Sequence, residues 1–190
     1  MRSLVIRWSA VVYLLFATFP AAAAPASWTV DKGASHLGFT GAMSGQPFGG
    51  NFGSWNAEIV FDPNDLGASY VTAIIDMASA KTDDQTRDEA LPTEDWFAVN
   101  AFPRATFASH EITVAGPAHY VAKGNLTIRN FTRPVSLPFT LIIEGDTAKM
   151  SGSLSLDRSA FGVGEGQFKG GDTVALEVQV NIAITAQRTP

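Results

Sequence analysis

The sequence predicts an all-β domain of about eight antiparallel strands with one short helix, closed as a barrel or folded as a two-sheet sandwich. Three observations predict it. Apolar and polar residues alternate with period 2 through most of the chain beyond residue 25, the pattern of half-buried strands. Clusters of Gly, Pro, Asn and Asp separate these stripes at regular intervals. One polar stretch alone, Thr82 to Leu91, breaks the alternation.

Composition sets the bounds. The chain has 190 residues, 46% hydrophobic and 16% charged, with a net charge of −5 and no cysteine. Such apolar content is the opposite of a disordered tail. The acidic balance argues against a nucleic-acid partner, which calls for a basic footprint. Without cysteine there are no disulfides, thiolate metal sites or thiol nucleophiles.

The first element is not part of the fold. Arg2 and Arg7 precede a nearly unbroken apolar run from Trp8 to Phe19, and Ala21-Ala22-Ala23-Ala24 follows Pro20. This order describes a secretory signal peptide over residues 1–24, with cleavage favoured after Ala23 or Ala26. The run is shorter than the roughly 20 residues that span a bilayer.

Next come the strands. Leu37 with Phe39 opens the series, followed by Trp55, Ala57, Ile59 and Phe61, then Val71, Ala73, Ile75 and Met77. The polar stretch fits a short helix capped by Thr82 or Asp83 and ended by Pro92. Ala105 with Phe107 and Leu126 with Ile128 mark two further strands. Val135, Leu137, Phe139, Leu141 and Ile143 share a face, as do Met150, Leu154 and Leu156, and then Val174 through Ile184 at every second position. Glu144-Gly145-Asp146 and Gly170-Gly171-Asp172 are each short enough for a tight hairpin.

Chemistry is sparse along this frame. His36, His110 and His119 lack metal-ligand spacing, and no G-x-S-x-G elbow occurs. Gly162-Val163-Gly164-Glu165-Gly166 has neither the lysine nor the strand-to-helix context of a phosphate loop and reads as a flexible turn. The carboxylates from Asp83 to Asp95 read as a solvated face. Aromatic residues at inward positions stand out, and an eight-stranded barrel has room either to pack them or to enclose one small ligand.

The order of local patterns resembles the YceI-like family. Trp28-Thr29-Val30-Asp31 is followed by Ser35-His36-Leu37-Gly38-Phe39, then by Gly50-Asn51-Phe52 and Ile59-Val60-Phe61-Asp62-Pro63. Thr86-Arg87-Asp88, Leu91, Trp96-Phe97 and Phe102-Pro103-Arg104-Ala105-Thr106-Phe107 form the most specific block. Gly124 to Arg129, Thr132 to Val135, and Asp157 to Gly164 before Asp172-Thr173-Val174 complete it, from about Trp28 to Ala186. Glu89, Ala98 and Asn130 depart from the family pattern.

The resemblance implies an antiparallel up-and-down, lipocalin-like β-barrel over residues 25–190, exported to the periplasm. It implies binding or carriage of a long apolar lipid, a polyisoprenoid or an isoprenoid quinone, in the barrel lumen. It requires no cofactor beyond that ligand, allows transient contact with a membrane or membrane protein, involves no nucleic acid, and assigns no oligomeric state. Strand parity then gives Phe39, Trp55, Ile75, Met77, Phe107, Leu126, Ile128, Phe139, Leu141 and Leu154 as ligand-binding lumen residues, with Trp96 and Phe97 in a lid. Arg158 is either the buried partner of a carboxylate or a contact to a polar headgroup. Arg87 and Asp88 are expected to pair or hydrogen-bond at the barrel end. Two alternatives are a stress-response or protein-interaction barrel with a solid core, and an enzyme acting on an isoprenoid quinone.

Overall fold

The computed structural model describes residues 26–189, so the predicted signal peptide at 1–24 lies outside the described residues. Eleven strand segments form one antiparallel sheet. They are β1 (Ser27–Val30), β2 (His36–Met43), β3 (Gln46–Phe52), β4 (Trp55–Val60), β5 (Tyr70–Asp76), β6 (Ala80–Lys81), β7 (Arg104–Gly116), β8 (His119–Ile128), β9 (Phe131–Glu144), β10 (Thr147–Asp157) and β11 (Glu177–Arg188). One helix, α1 (Gln85–Ala90), lies between β6 and β7.

Eleven segments make eight strands. β1 and β2 run in the same direction along β11, as Trp28↔Arg188 and Val30↔Ala186 give way to His36↔Ala183 and Thr40↔Gln179. β3 with β4, and β5 with β6, are likewise single strands with short interruptions: β3 pairs with β2 and β6 while β4 pairs with β1 and β5. The eight then follow one another around the ring and close where the first meets the last. This is the up-and-down barrel, and the sandwich alternative is excluded.

Turn chemistry sets the register. Gly145-Asp146 joins Glu144 to Thr147 in a two-residue hairpin, as expected. Gly170-Gly171-Asp172 makes no hairpin; it lies inside the long connection between β10 and β11. That connection is held by a buried arginine, so the chain there has a partner other than a neighbouring strand. The helix cap also differs from expectation. Asp84 caps α1 by accepting from the Arg87 amide, while Asp83 takes φ +57 and turns the chain into the helix.

β3 escaped the reading of stripes because its inward face runs Phe48, Gly50, Phe52. A Cβ on residue 50 would strike the Phe39 ring and sit 2.8 Å from the Lys81 carbonyl oxygen. Only glycine allows that close approach, and it hides the alternation.

Ladder pairing lapses beside β6, which pairs with β3 alone, and at two further places in the wall. β9 pairs with β8 over Phe131–Thr140, but with β10 only over Phe139–Glu144. Pro134 and Pro138 have no N–H to give, and since pairing to β8 survives both, the missing donors face β10. The turn Arg158–Phe161 packs into that splay, where the Phe131 ring covers Gly162. The second place lies between the first two strands, where pairing stops at Trp28↔Ile59 and resumes at Gly38↔Asn51.

Candidate functional site

Inward residues of the eight strands surround a cavity of about 280 Å³. Its lining is apolar apart from one side chain, Arg158. The lower end, where β1 begins and β11 ends, is closed by Trp28, whose indole Nε1 donates to the Phe61 carbonyl at 3.0 Å. Phe61 meets Tyr120 edge-on at 5.3 Å, and Tyr120 stacks on Phe139 at 5.4 Å. The upper end is closed by the segments on either side of α1 and by the β10–β11 connection.

All thirteen predicted site residues line this cavity. Phe39, Ile75, Met77, Phe97, Leu126 and Ile128 surround its upper half, together with Trp96. Phe107, Phe139, Leu141 and Leu154 surround the lower half. Trp55 packs against both groups, at the waist. Sequence reasoning missed Phe48 and Phe52, hidden by Gly50, and Leu91, Phe161 and Val163, which come from connections with no strand period to mark them.

The interior is hollow. Phe107, Leu126, Leu141, Leu154, Ala57 and Ala73 all point inward, yet each stays partly accessible. No large side chain among the described residues falls below 2% exposure. In a close-packed core such residues lose essentially all accessible surface. Here they face open space.

Arg158 is 4% exposed, and its partners are neither of those expected from the sequence. All five of its N–H groups donate to backbone carbonyls: Nε to Ala175, Nη1 to Val163 and Gly164, Nη2 to Phe168 and Val174, at 2.6–3.0 Å. No carboxylate pairs with it, and no donor is left over for a headgroup. Burial pushes its pKa down from the ordinary arginine value, opposed by the charges of Asp157 and Glu165; arginine remains charged throughout the accessible range. The glycine-rich run read as a flexible turn is this carbonyl cage. Gly164, at φ +81, would place a Cβ on the guanidinium itself, so the wrapping depends on glycine.

The cage and the lid are one unit. The Arg158 guanidinium lies 5.5 Å from the Trp96 ring centroid, and Trp96 packs on Phe168 at 5.1 Å. The Asp95 carbonyl accepts from the amides of Gly164 and Glu165. Arg129 donates through Nη1 to the carbonyls of Trp96 and Gly162. Arg87 and Asp88 do not pair with each other, because α1 turns them toward different partners. Asp88 accepts from both the amide and the hydroxyl of Thr82 and lies 3.7 Å from Lys81, while Arg87 reaches Asp84 at 3.6 Å and Thr82 Oγ1 at 3.2 Å. Thr82 is their shared partner, tying the helix to β6.

Comparison with known proteins agrees with this geometry. The model of the YceI-like domain matches residues 28–186. A UPF0312 protein of Pseudomonas aeruginosa is 31% identical over 134 residues, covering 67% of this chain and 66% of its own length, slightly under two thirds. One from Vibrio cholerae is 27% identical over 161 residues, 77% of this chain and 82% of the relative. Among solved structures, Burkholderia cenocepacia BcnA superposes with a TM-score of 0.80 at 33% identity, over 83% of this chain and 99% of that one. A polyisoprenoid-binding domain from Saccharophagus degradans, described as implicated in plant cell wall breakdown, shares the fold with a TM-score of 0.68 at 14% identity, over 87% of this chain and 99% of that one.

Proposed function

The chain belongs to the YceI-like family, and from that premise we propose that it binds a long apolar lipid, a polyisoprenoid or an isoprenoid quinone, inside its barrel and carries it through the periplasm. The observation that carries this reading is the hollow, apolar lumen closed at both ends. At about 24 cal/mol per Å³, an unfilled apolar void of this size costs roughly 7 kcal/mol. That is comparable to the whole net stability of a domain. A tail that fills it gains about 0.8 kcal/mol per buried CH₂, less the cost of ordering and association.

The thirteen residues expected from the sequence, Arg158 among them, are part of the binding surface in this reading, with Arg158 holding the lid rather than touching a headgroup. The solid-core alternative is disfavoured by the accessible inward side chains. The reading as a binding protein, not an enzyme acting on quinones, is supported by a lining with no histidine or carboxylate among the described residues. Loading and unloading bring the barrel briefly to a membrane or a membrane protein.

Native mass spectrometry and lipid extraction of protein purified from its own host test the proposal. The expected result is a stoichiometric isoprenoid lipid that leaves on denaturation. Protein that is repeatedly empty and takes up no isoprenoid lipid in vitro refutes it.

A further inference from the structure

The wall between the first two strands is unpaired from Thr29 to Leu37 on one side and from Phe52 to Glu58 on the other. The seven residues 52–58 carry no ladder bond to the first strand, and the chain bends at Gly53-Ser54 within them. The gap is built. Asp31 Oδ1 accepts from the amides of Gly33 and Ala34 and folds the chain into a loop. Ser35 Oγ then bonds the backbone of Thr185 in both directions, fixing the return of the chain to β11. The opening motif of the mature sequence, from Trp28 to His36, is thereby explained as the device that parts the wall.

One side chain spans the gap. Lys32 Nζ donates to the Trp55 carbonyl at 2.6 Å and lies 3.5 Å from the Trp55 ring centroid. Lys32 is exposed while Trp55 lines the cavity, so a solvent-side ammonium touches a lumen-side ring directly. Among the described residues Lys32 makes no ion pair. Its nearest acidic neighbour in sequence, Asp31, is engaged by amides, and Glu58 on β4 accepts the Tyr70 hydroxyl at 2.6 Å. Burial lowers the Lys32 pKa, the signature of a cation without a compensating anion.

The other ways into the lumen are more firmly shut. The upper end is held by the five carbonyl bonds of Arg158 and the contacts of Arg129. Trp28 and its aromatic neighbours fill the lower end, and the β9–β10 splay is plugged by Phe131 and the turn Arg158–Phe161. At the first-strand gap, the polar contacts that cross among the described residues are one hydrogen bond and one cation–π contact.

We propose that this gap is a lateral portal for the apolar tail, with Lys32 as its latch and as the anchor of an anionic headgroup left outside. A tail that enters displaces the ammonium from Trp55, and the released cation finds a carboxylate or phosphate at the mouth. The preferred ligand is therefore a single-tailed amphiphile with an anionic head, in preference to a neutral one. The inference rests on the lipid-binding reading above.

Because the chain has no cysteine, Lys32→Cys creates a unique thiol. Uptake and release of cis-parinaric acid and of its neutral methyl ester are followed by stopped-flow fluorescence on the lipid-free full domain. The same polypeptide is measured in three forms: unlabelled, carrying an aminoethyl disulfide that restores the ammonium, and carrying a bulky stilbene-disulfonate maleimide. Wild type is expected to prefer the acid over the ester. The unlabelled variant should exchange probe about tenfold faster, the factor for ~1.4 kcal/mol of barrier, and lose the preference. The aminoethyl form should recover both, and the stilbene form should take up probe more slowly than wild type. Probe binding with rates and acid preference indifferent to all three forms overturns the portal and leaves the lipid-binding reading standing. A wild type that binds neither probe overturns both.

Discussion

Replacing Ala73 with leucine tests the hollow lumen through the sign of a stability change. Ala73 faces inward in a row with Ala57 on one side and Phe107 on the other, and Phe107 continues the row to Leu126. Two adjacent alanines leave the lumen wide at this level. Leucine adds about three carbon groups, worth up to roughly 2.4 kcal/mol if they are buried in open space. Fixing the leucine rotamer costs about 0.5–1 kcal/mol. The lipid-free Ala73→Leu protein should therefore gain about 1.5 kcal/mol. In a close-packed interior the same change would cost about 1–3 kcal/mol through overpacking. Urea denaturation of lipid-free protein gives the answer as a shift of midpoint at constant slope. A fluorescent fatty-acid titration should show at least about tenfold weaker binding, since the new side chain occupies ligand space. A destabilised variant with unchanged binding refutes the reasoning.

Three further outcomes follow from the contacts described. Arg158→Met leaves five carbonyls without this donor, three of them in buried hydrogen bonds, and a loss of about 4 kcal/mol is expected by urea denaturation, in the class of a broken buried network. Gly50→Ala drives a methyl into the Phe39 ring and the Lys81 carbonyl, and should cost about 1–3 kcal/mol in the same assay. The third concerns acid. The Asp88 carboxyl is held below the ordinary carboxylate range, first by the hydrogen bond from the Thr82 hydroxyl and then by the Thr82 amide and Lys81, against desolvation. Its folded pKa is depressed, so its contribution is complete above the unfolded value near 4 and is lost as pH falls through the lower folded one. Asp88→Asn should flatten that acid limb of the thermal stability profile; an unchanged limb would remove Asp88 from it.

Strand parity was the most legible feature of the sequence. A single register error would have turned a whole stripe outward, yet every predicted stripe residue from Trp55 to Phe61 and from Val135 to Ile143 faces the lumen. This worked because the barrel keeps polar residues outside, so alternation and burial carry the same information. What stayed hidden lacks that coupling. Phe48 and Phe52 are separated by a glycine, and Leu91, Phe161 and Val163 reach the cavity from aperiodic connections. Arg158 was legible as buried, but not its partners, since backbone carbonyls carry no sequence identity. Arg87 and Asp88 hydrogen-bond as expected, though not to each other: adjacent helical residues point in different directions, and Thr82 provides the common partner.

The ring closes between the two ends of the domain, Trp28 against Arg188, residues 160 positions apart. A chain delivered from its N-terminus therefore cannot complete the barrel until its last strand arrives. Until then β1 and β2 present an unsatisfied edge, and neither aromatic plug has its full set of neighbours. Such distant pairing slows folding, because the loop entropy comes before the reward. The delay keeps the chain open until its final residues are in place, and the barrel locks shut only with the last strand.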